Sequence, residues 1–118
     1  MSQFRWAWLC ILVLFALLLA ACNNASADGS ITLQASGMSF VHDKMTVKAG
    51  QPVTLQLVNR DGYGHAFDID EFDIHTQLPS KQTLTVTFTP DKSGRYEFYC
   101  GTPGHRAAGM VGTLIVQQ

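Results

Sequence analysis

The stretch Cys100-Gly-Thr-Pro-Gly-His105-Arg-Ala-Ala-Gly-Met110 places a thiol, an imidazole and a thioether on one loop between two strand-like segments. Glycine or proline at four positions of this loop allows the chain to reverse tightly: Gly101, Pro103, Gly104 and Gly109. The three donor groups can therefore converge on one point. A thiolate and an imidazole suit zinc as well as copper, whereas an added thioether selects copper that cycles between two oxidation states. Met110 thus makes copper the predicted metal.

The first 21 residues have the features of an export signal. Arg5 precedes an apolar run over residues 6–21, which is short for a transmembrane helix of roughly 20 residues and ends in small residues. Its ending, Leu19-Ala20-Ala21-Cys22, resembles the lipobox of bacterial lipoproteins, in which the cysteine becomes the lipid-modified first residue of the mature protein. An ordinary signal peptide followed by a chance cysteine is the alternative.

This N-terminal pattern divides the chain into three parts. We predict a lipoprotein signal peptide over residues 1–21, a lipidated Cys22 with a flexible tether to residue 30, and a folded domain over residues 31–118. The domain would then lie outside the cytoplasm, anchored to the cell membrane in the periplasm or at the outer surface.

Cys100 is the one thiol that this arrangement leaves in the mature protein, because Cys10 leaves with the signal and Cys22 carries lipid. A lone thiol in an oxidising compartment is protected when it ligates a metal, whereas a buried structural cysteine would be inert. The sequence favours ligation.

Size and charge limit the classes of function. A domain of about 88 residues forms one hydrophobic core, and it is small enough for a bound metal to matter to its stability. The chain has eight Lys and Arg, one of them in the predicted signal, against nine Asp and Glu. Nucleic-acid binding would require a basic stripe, which this balance does not support.

The segments after residue 30 predict an all-β domain. They alternate with a period of two, are rich in Val, Thr, Phe and Leu, and are separated by Gly, Pro, Asn and Asp. No segment has a convincing helical pattern, and around seven strands over one core is the number expected of a β-sandwich. The predicted strands are residues 31–35, 45–49, 53–59, 65–69, 82–89, 95–100 and 112–116.

The alternation also predicts which side chains enter the core. Cys100 shares a face with Phe98, so its sulfur points into the sandwich at the end of its strand. His65 shares a face with Phe67 and also points inward. An inward histidine requires partners for both ring nitrogens, and it is either a metal ligand or a core histidine bonded to the backbone. The nearby Cys-His-Met loop favours the ligand.

The other histidines and an acidic segment have simpler interpretations. His42 and His75 lie in polar, turn-like sequence and are predicted to be surface residues. An acidic segment follows His65, and parity predicts that its first two carboxylates face solvent; it comprises Asp68, Asp70, Glu71 and Asp73. The segment is either a solvated acidic turn or a patch that steers a basic redox partner such as a cytochrome.

Several motifs in combination point to one family. Lys48-Ala-Gly-Gln-Pro-Val-Thr-Leu precedes Asn59-Arg-Asp-Gly-Tyr-Gly-His65-Ala-Phe, and Gly94-Arg-Tyr-Glu-Phe-Tyr-Cys100 leads into the ligand loop. The set resembles the cupredoxins, blue-copper proteins such as plastocyanin, azurin and sulfocyanin, over nearly all of residues 31–118. The resemblance implies a Greek-key β-sandwich of about seven to eight strands and one copper per chain. It also implies a ligand set with three equatorial residues and a weak axial one: His65, Cys100 and His105, and Met110.

The sequence departs from the pattern of plastocyanin and azurin. Its ligand loop has four residues between the cysteine and the histidine and four between the histidine and the methionine, a spacing unlike theirs. Ala66 occupies the position of an asparagine that helps to hold their sites, so that hydrogen bond comes from elsewhere, with Asn59 a candidate, or is missing. Gly104 stands where the two-copper domain of cytochrome oxidase has a second cysteine, which rules out a binuclear centre.

The ligand set favours an electron carrier rather than an enzyme, because two imidazoles, a thiolate and a weak thioether suit both oxidation states of copper without much rearrangement. We expect a monomer whose partners are redox proteins such as cytochromes or oxidase complexes, with neither nucleic acid nor a small-molecule substrate. The expected docking face is a small apolar patch around His105, formed by Pro103, Gly104, Ala107 and Ala108.

Three other functions fit parts of the sequence. A copper chaperone or storage module generally uses Met- and His-rich ligands without a buried thiolate, so Cys100 argues against it. A copper enzyme requires an open coordination position or a second metal, and the four ligands leave no vacancy. An adhesive β-sandwich requires all the ligand types to coincide by chance.

Overall fold

A computed structural model of the protein describes residues 29–118. The predicted signal peptide, the lipidated Cys22 and the tether up to residue 28 lie outside these residues. The first strand begins at Ser30, one residue before the predicted start of the domain. Over residues 29–118, no helix is long and apolar enough to cross a membrane.

Nine strands in two sheets make up the described part of the chain. The strands are β1 (Ser30–Ser36), β2 (Ser39–Val41), β3 (Lys44–Lys48), β4 (Val53–Asn59), β5 (His65–Ile69), β6 (Ile74–Leu78), β7 (Thr83–Phe88), β8 (Gly94–Tyr99) and β9 (Val111–Gln117). One sheet has the order β2-β1-β4-β7 and the other β3-β9-β8-β5-β6. A single 3₁₀ turn, Asp70–Phe72, connects β5 to β6. The predicted all-β sandwich is confirmed, with nine strands instead of seven to eight.

The sequence pattern missed β2 and β6 for physical reasons. β2 has three residues, which is too short for a period of two to be recognised. β6 lies at the edge of its sheet, where only its two end residues, Ile74 and Leu78, are buried and the residues between them are polar. It pairs antiparallel with β5, from His65 opposite Leu78 to Ile69 opposite Ile74. An edge strand of this kind lacks the continuous alternation of a half-buried strand.

The hydrophobic core lies between the two sheets and fixes the strands that carry His65 and Cys100. Leucines of β1 and β4 face aromatic rings of the other sheet: Leu33, Leu55 and Leu57 on one side, Phe67 and Phe98 on the other, all at most 1% exposed. Phe40 packs edge-on against Phe98, with ring centroids 5.3 Å apart. The rigid packing of such rings fixes the strands that bear them.

The sheet order brings the start of β5 beside the end of β8. β5 runs antiparallel to β8, with Asp68 opposite Tyr99, and Tyr99 in turn pairs with Val111 at the start of β9. The loop over residues 100–110 therefore lies at the end of the sheet where β5 begins with His65. The topology alone brings His65 close to the Cys-His-Met loop.

The prediction that Asp68 faces solvent is wrong, because β5 is buried at all five positions. The alternation of side chains along a strand predicts that every second residue is exposed only when nothing covers the outer face of the sheet. β5 lies between β8 and β6, and its outer side is covered by the start of the ligand loop and by His75 of β6. Asp70, at the start of the 3₁₀ turn, is exposed as predicted.

Gly112 in β9 provides a test of this packing. A Cβ atom added at Gly112 would lie 2.1 Å from Cζ of Phe98 and 2.6 Å from the carbonyl oxygen of Asp43. We expect Gly112→Ala to lower the free energy of unfolding by about 1–3 kcal/mol or more, because a ring and a backbone carbonyl must both move. Urea unfolding followed by circular dichroism measures the change.

Gly62→Ala is the matched control, since no atom lies within 4 Å of its added Cβ and its φ is not positive. Its free energy of unfolding should change by no more than about 0.5 kcal/mol. Equal losses in the two variants would contradict the packing described for β8 and β9.

Candidate metal centre

Three parts of the chain contribute the donor atoms. His65 is the first residue of β5, Cys100 follows the last residue of β8, and His105 lies in the loop between β8 and β9. Donor atoms of these three residues all lie within 4.8 Å of one another. Both imidazoles turn Nδ1 towards the Cys100 sulfur, at 4.0 Å for His65 and 3.5 Å for His105. A single ion placed among them would be in reach of all three.

Met110 is held beside these residues by its own backbone. Its carbonyl oxygen accepts a hydrogen bond from the Cys100 N–H at 3.0 Å, and its N–H donates to the His105 carbonyl at 3.0 Å. The Met110 side chain is fully buried, as are those of Cys100 and His65, and His105 is 9% exposed. The structure therefore brings together all four residues that the sequence singles out.

The ligand loop consists of consecutive turns closed by backbone hydrogen bonds. The His105 N–H donates to the Thr102 carbonyl, and the Gly109 N–H donates to the Arg106 carbonyl, each at 3.0 Å. Gly104 and Gly109 have φ angles of +84° and +99°, which residues with a Cβ rarely adopt. These two glycines allow the tight reversal that the sequence predicts.

The Cys100 sulfur has a hydrogen-bond donor in the neighbouring strand. The backbone N–H of Ala66 points at Sγ from 3.2 Å. Cys100 is a free cysteine with no exposed surface. The hydrogen bond from Ala66 fixes the position of the buried sulfur, and a thiolate is the form of cysteine that binds a metal.

Asp68 supplies a hydrogen bond between β5 and the ligand loop. Oδ2 of Asp68 accepts a hydrogen bond from the Gly101 N–H at 2.9 Å and so ties β5 to the residue after Cys100. A Cβ atom at Gly101 would lie 2.4 Å from that oxygen, so glycine is required for this close approach. Sequence reasoning missed this role because it placed Asp68 in solvent.

Asn59 braces the loop that leads to His65. Its buried amide nitrogen is within hydrogen-bonding distance of three carbonyl oxygens, at 2.8 Å from Tyr63 and 3.1 Å from both Leu78 and Pro79. Its side-chain oxygen accepts a hydrogen bond from the Asp61 N–H at 2.9 Å. Asn59 therefore fixes the approach to β5 and the end of β6, and its side chain makes no bond to the sulfur.

Asp61 is the site-proximal residue that sequence reasoning did not single out. Its Oδ2 lies 2.9 Å from Nε2 of His65 and also accepts a hydrogen bond from the Gly37 N–H at 2.8 Å. The hydrogen bond with His65, followed by that with Gly37, lowers the pKa of the Asp61 carboxyl. An aspartate two residues after a buried asparagine, in a turn just before an inward histidine, was the available signal.

His42 and His75 lie outside the cluster. His42 is exposed at the turn between β2 and β3, with a φ of +65°. The His75 side chain is 53% exposed, but its Nδ1 lies 2.9 Å from Oδ1 of Asp68. The hydrogen bond with Asp68 raises the pKa of His75. His75 is thus a surface residue, and it contacts the same carboxylate that accepts the hydrogen bond from Gly101 of the ligand loop.

Aromatic and charged side chains surround the buried donor residues. Tyr63 is 45% exposed and packs on both imidazoles, with ring centroids 5.0 Å from His65 and 6.2 Å from His105. On another side, the Tyr99 hydroxyl donates to Asp70 at 2.7 Å, and the Arg106 guanidinium lies 3.8 Å from the centroid of the Tyr99 ring. Arg106 also forms an ion pair with Glu97.

Comparison with known proteins identifies the family. Residues 9–116 match the Cupredoxin-like domain. Chloroplast plastocyanin of Chlamydomonas reinhardtii is 32% identical over 113 residues, which cover 84% of this chain and 74% of that protein. Nitrous-oxide reductase of Pseudomonas fluorescens is 32% identical over 103 residues, but the chain spans only 16% of its length. This chain belongs to the cupredoxin-like family.

A solved structure shows the same fold. The reduced auracyanin of the photosynthetic bacterium Roseiflexus castenholzii superposes with a TM-score of 0.69 at 21% identity, over 78% of this chain and 99% of that one. The family and the donor set together confirm the predicted copper cofactor. Two imidazoles, a thiolate and a thioether residue are the donors that suit copper in both oxidation states.

The pKa of His75 tests the hydrogen bond that reaches the ligand loop through Asp68. We expect NMR titration of the His75 ring to give a pKa above 6.5, and we expect Asp68→Asn to bring it down towards that value. Because the folded pKa lies above the unfolded one, the stabilisation from this pair is complete below pH 6.5 and is lost as the pH rises through the folded pKa.

Asp73→Asn is the control for this titration. Its carboxylate is fully exposed and lies 3.8 Å from Nε2 of His75, so most of the upward pKa shift should remain in that variant. An unchanged His75 pKa in Asp68→Asn would show that the hydrogen bond is absent in solution.

Proposed function

We propose that this protein is a mononuclear copper electron carrier. His65, Cys100 and His105 are its equatorial ligands, and Met110 is its weak axial ligand. The observation that carries the proposal is the convergence of three buried donors within 4.8 Å beside a fully buried methionine. Copper bound there supplies one-electron exchange between its two oxidation states. Membership of the cupredoxin-like family supports the same function.

The chain contributes rigidity to this exchange. The Ala66 N–H to sulfur bond and the Asp68 bond to Gly101 cross-link the two segments that bear His65 and Cys100. The backbone hydrogen bonds of Met110 to Cys100 and His105 hold the end of the ligand loop against these segments. Ligands fixed in this way move little when the charge on the metal changes, and a small rearrangement allows fast electron transfer.

His105 is the ligand through which electrons reach a partner in this proposal. It is 9% exposed, whereas the other three ligands are at most 1% exposed. Exposed small residues surround it in the loop: Pro103, Gly104, Ala107 and Ala108. Tyr63 extends this surface on the His65 side. A small apolar face suits brief contact with redox proteins such as cytochromes or oxidase complexes.

The acidic segment contributes less to docking than its sequence suggests. The Asp68 carboxylate is buried and holds Gly101 and His75, and Asp70 accepts the Tyr99 hydroxyl. Glu71 and Asp73 are exposed and remain available to attract a basic partner. We therefore assign partner contact to the apolar face around His105, with the two outer carboxylates acting at a distance.

A copper chaperone or storage module is the alternative, and the burial of Cys100 argues against it. A protein that hands on its metal presents a ligand that an incoming protein can reach, whereas the Cys100 sulfur has no exposed surface. An enzyme would need an open coordination position, and the four ligands leave none. These arguments favour a carrier that keeps its copper.

Copper binding and colour test the proposal directly. The domain should bind one copper per chain and show an intense visible band when oxidised, because a copper–thiolate bond gives strong charge transfer. Cys100→Ser should abolish the band, since a hydroxyl is a hard and weakly bound replacement. Visible absorption and metal analysis provide the measurement. Preferential zinc binding at full occupancy, with no visible band after copper addition, would contradict the proposal.

The axial role of Met110 is tested by Met110→Leu. We expect this variant to keep its copper and its colour and to have a higher reduction potential, because a weak donor to Cu(II) is removed. A redox titration followed by visible absorption measures the potential. Loss of copper as complete as in Cys100→Ser would show that Met110 is not a weak axial ligand.

We also propose that the domain is attached to the outside of a cell membrane through lipid on Cys22, with the polar residues before Ser30 as a tether. The lipobox-like Leu19-Ala20-Ala21-Cys22 supports this attachment. Cys22→Ser should release the protein to the soluble fraction or leave it unprocessed, as followed by membrane fractionation and intact mass. Normal cleavage with unchanged membrane retention would count against the lipid anchor.

A further inference from the structure

The second ring nitrogen of His65 is bound by a carboxylate. Nε2 of His65 lies 2.9 Å from Oδ2 of Asp61, and the His65 side chain has no exposed surface. The Asp61 side chain is 23% exposed, so it is only partly accessible to water. The contact places a carboxylate on the far side of the imidazole from the Cys100 sulfur, which faces Nδ1.

Asp61 is held in this position by two other parts of the chain. Its Oδ2 accepts the Gly37 N–H, from the turn between β1 and β2, at 2.8 Å. Its own N–H donates to the buried side chain of Asn59, at the end of β4. The carboxylate is thus oriented by contacts that do not involve His65, and a pre-oriented acceptor can determine the state of the ring that it meets.

The hydrogen bonds determine which His65 nitrogen carries the proton. A carboxylate oxygen that already receives the Gly37 N–H accepts hydrogen bonds, so the His65 Nε2 is the donor. In the neutral ring the remaining nitrogen, Nδ1, then has a free lone pair, and it faces Sγ of Cys100 at 4.0 Å. A metal ligand must present an unprotonated nitrogen. Asp61 therefore prepares the ring for binding before a metal arrives.

We propose that Asp61 is a positioning residue that fixes the tautomer of His65 and lowers the reduction potential of the copper site. This inference rests on the proposed function. A carboxylate bonded to the far nitrogen makes the imidazole a stronger electron donor. A stronger donor and a nearby negative charge stabilise Cu(II) more than Cu(I), because the oxidised ion carries the larger positive charge.

Asp61→Asn tests the charge while it keeps a side-chain oxygen that can accept a hydrogen bond. We expect the affinity for Cu(II) to fall about tenfold relative to that for Cu(I), and a tenfold change for a one-electron couple is about 59 mV. The potential should therefore rise by roughly that amount while the visible band remains. A redox titration of wild type and variant measures the shift.

Asp91→Asn is the charge-matched control. Asp91 is exposed and follows Pro90, whose carbonyl accepts the Gly50 N–H at the end of the sandwich opposite His65. Its potential should equal that of wild type. A potential in Asp61→Asn that matches this control, with the visible band intact, would overturn the role of Asp61 and leave the proposed copper function standing. A wild-type protein without a copper–thiolate band would instead refute the proposed function.

A measurement on the copper-free wild-type protein covers the case in which Asp61→Asn does not fold. The ¹⁵N chemical shifts of the His65 ring report which nitrogen bears the proton. We expect the neutral ring to carry its proton on Nε2 and to have a bare Nδ1. A ring protonated on Nδ1, or one that exchanges rapidly between the two tautomers, would overturn the proposal.

Discussion

The burial of the Cys100 sulfur at the end of β8 is the constraint on which the site depends. A thiolate removed from water is unfavourable unless donors or a cation surround it. The chain supplies the Ala66 N–H as a donor, and two imidazoles within 4.0 Å of the sulfur that would share a cation with it. These groups come from β5 and from the ligand loop, so the sulfur can be stabilised only when the ends of β5 and β8, which lie side by side in one sheet, are in register. Folding of this end of the sheet and assembly of the metal centre therefore depend on each other. A bound metal would complete the compensation of the thiolate's charge.

A layer of polar side chains, buried at Asn59 and Asp68 and partly buried at Asp61, surrounds the candidate ligands and keeps this arrangement fixed. Asp68 ties β5 to Gly101, Asn59 holds the loop before His65, and Asp61 holds the His65 ring. In residues 29–118 no buried side-chain nitrogen or oxygen lacks a hydrogen-bond partner. Fully satisfied polar groups are more rigid than partly satisfied ones, which suits a site whose geometry should change little as an electron enters or leaves.

The cluster of candidate ligands could be predicted from the sequence because it depends on patterns that are local. Alternation placed Cys100 and His65 inward, and the glycines of the loop predicted the tight reversal before Met110. Asp68 was misplaced because parity cannot detect that both faces of β5 are covered. The position of Asp61 in the turn before His65 was visible in the sequence, but its orientation also depends on the turn from β1 to β2, and such a contact between distant residues leaves no local pattern.

Binding of one copper ion by a buried thiolate and two imidazoles on a rigid frame can be measured by X-ray absorption at the copper edge, recorded for the oxidised and the reduced protein. We expect one short copper–sulfur bond and two copper–nitrogen bonds in both states, with only small changes in length on reduction. A shell of oxygen and nitrogen without sulfur, or a ligand lost on reduction, would contradict this expectation.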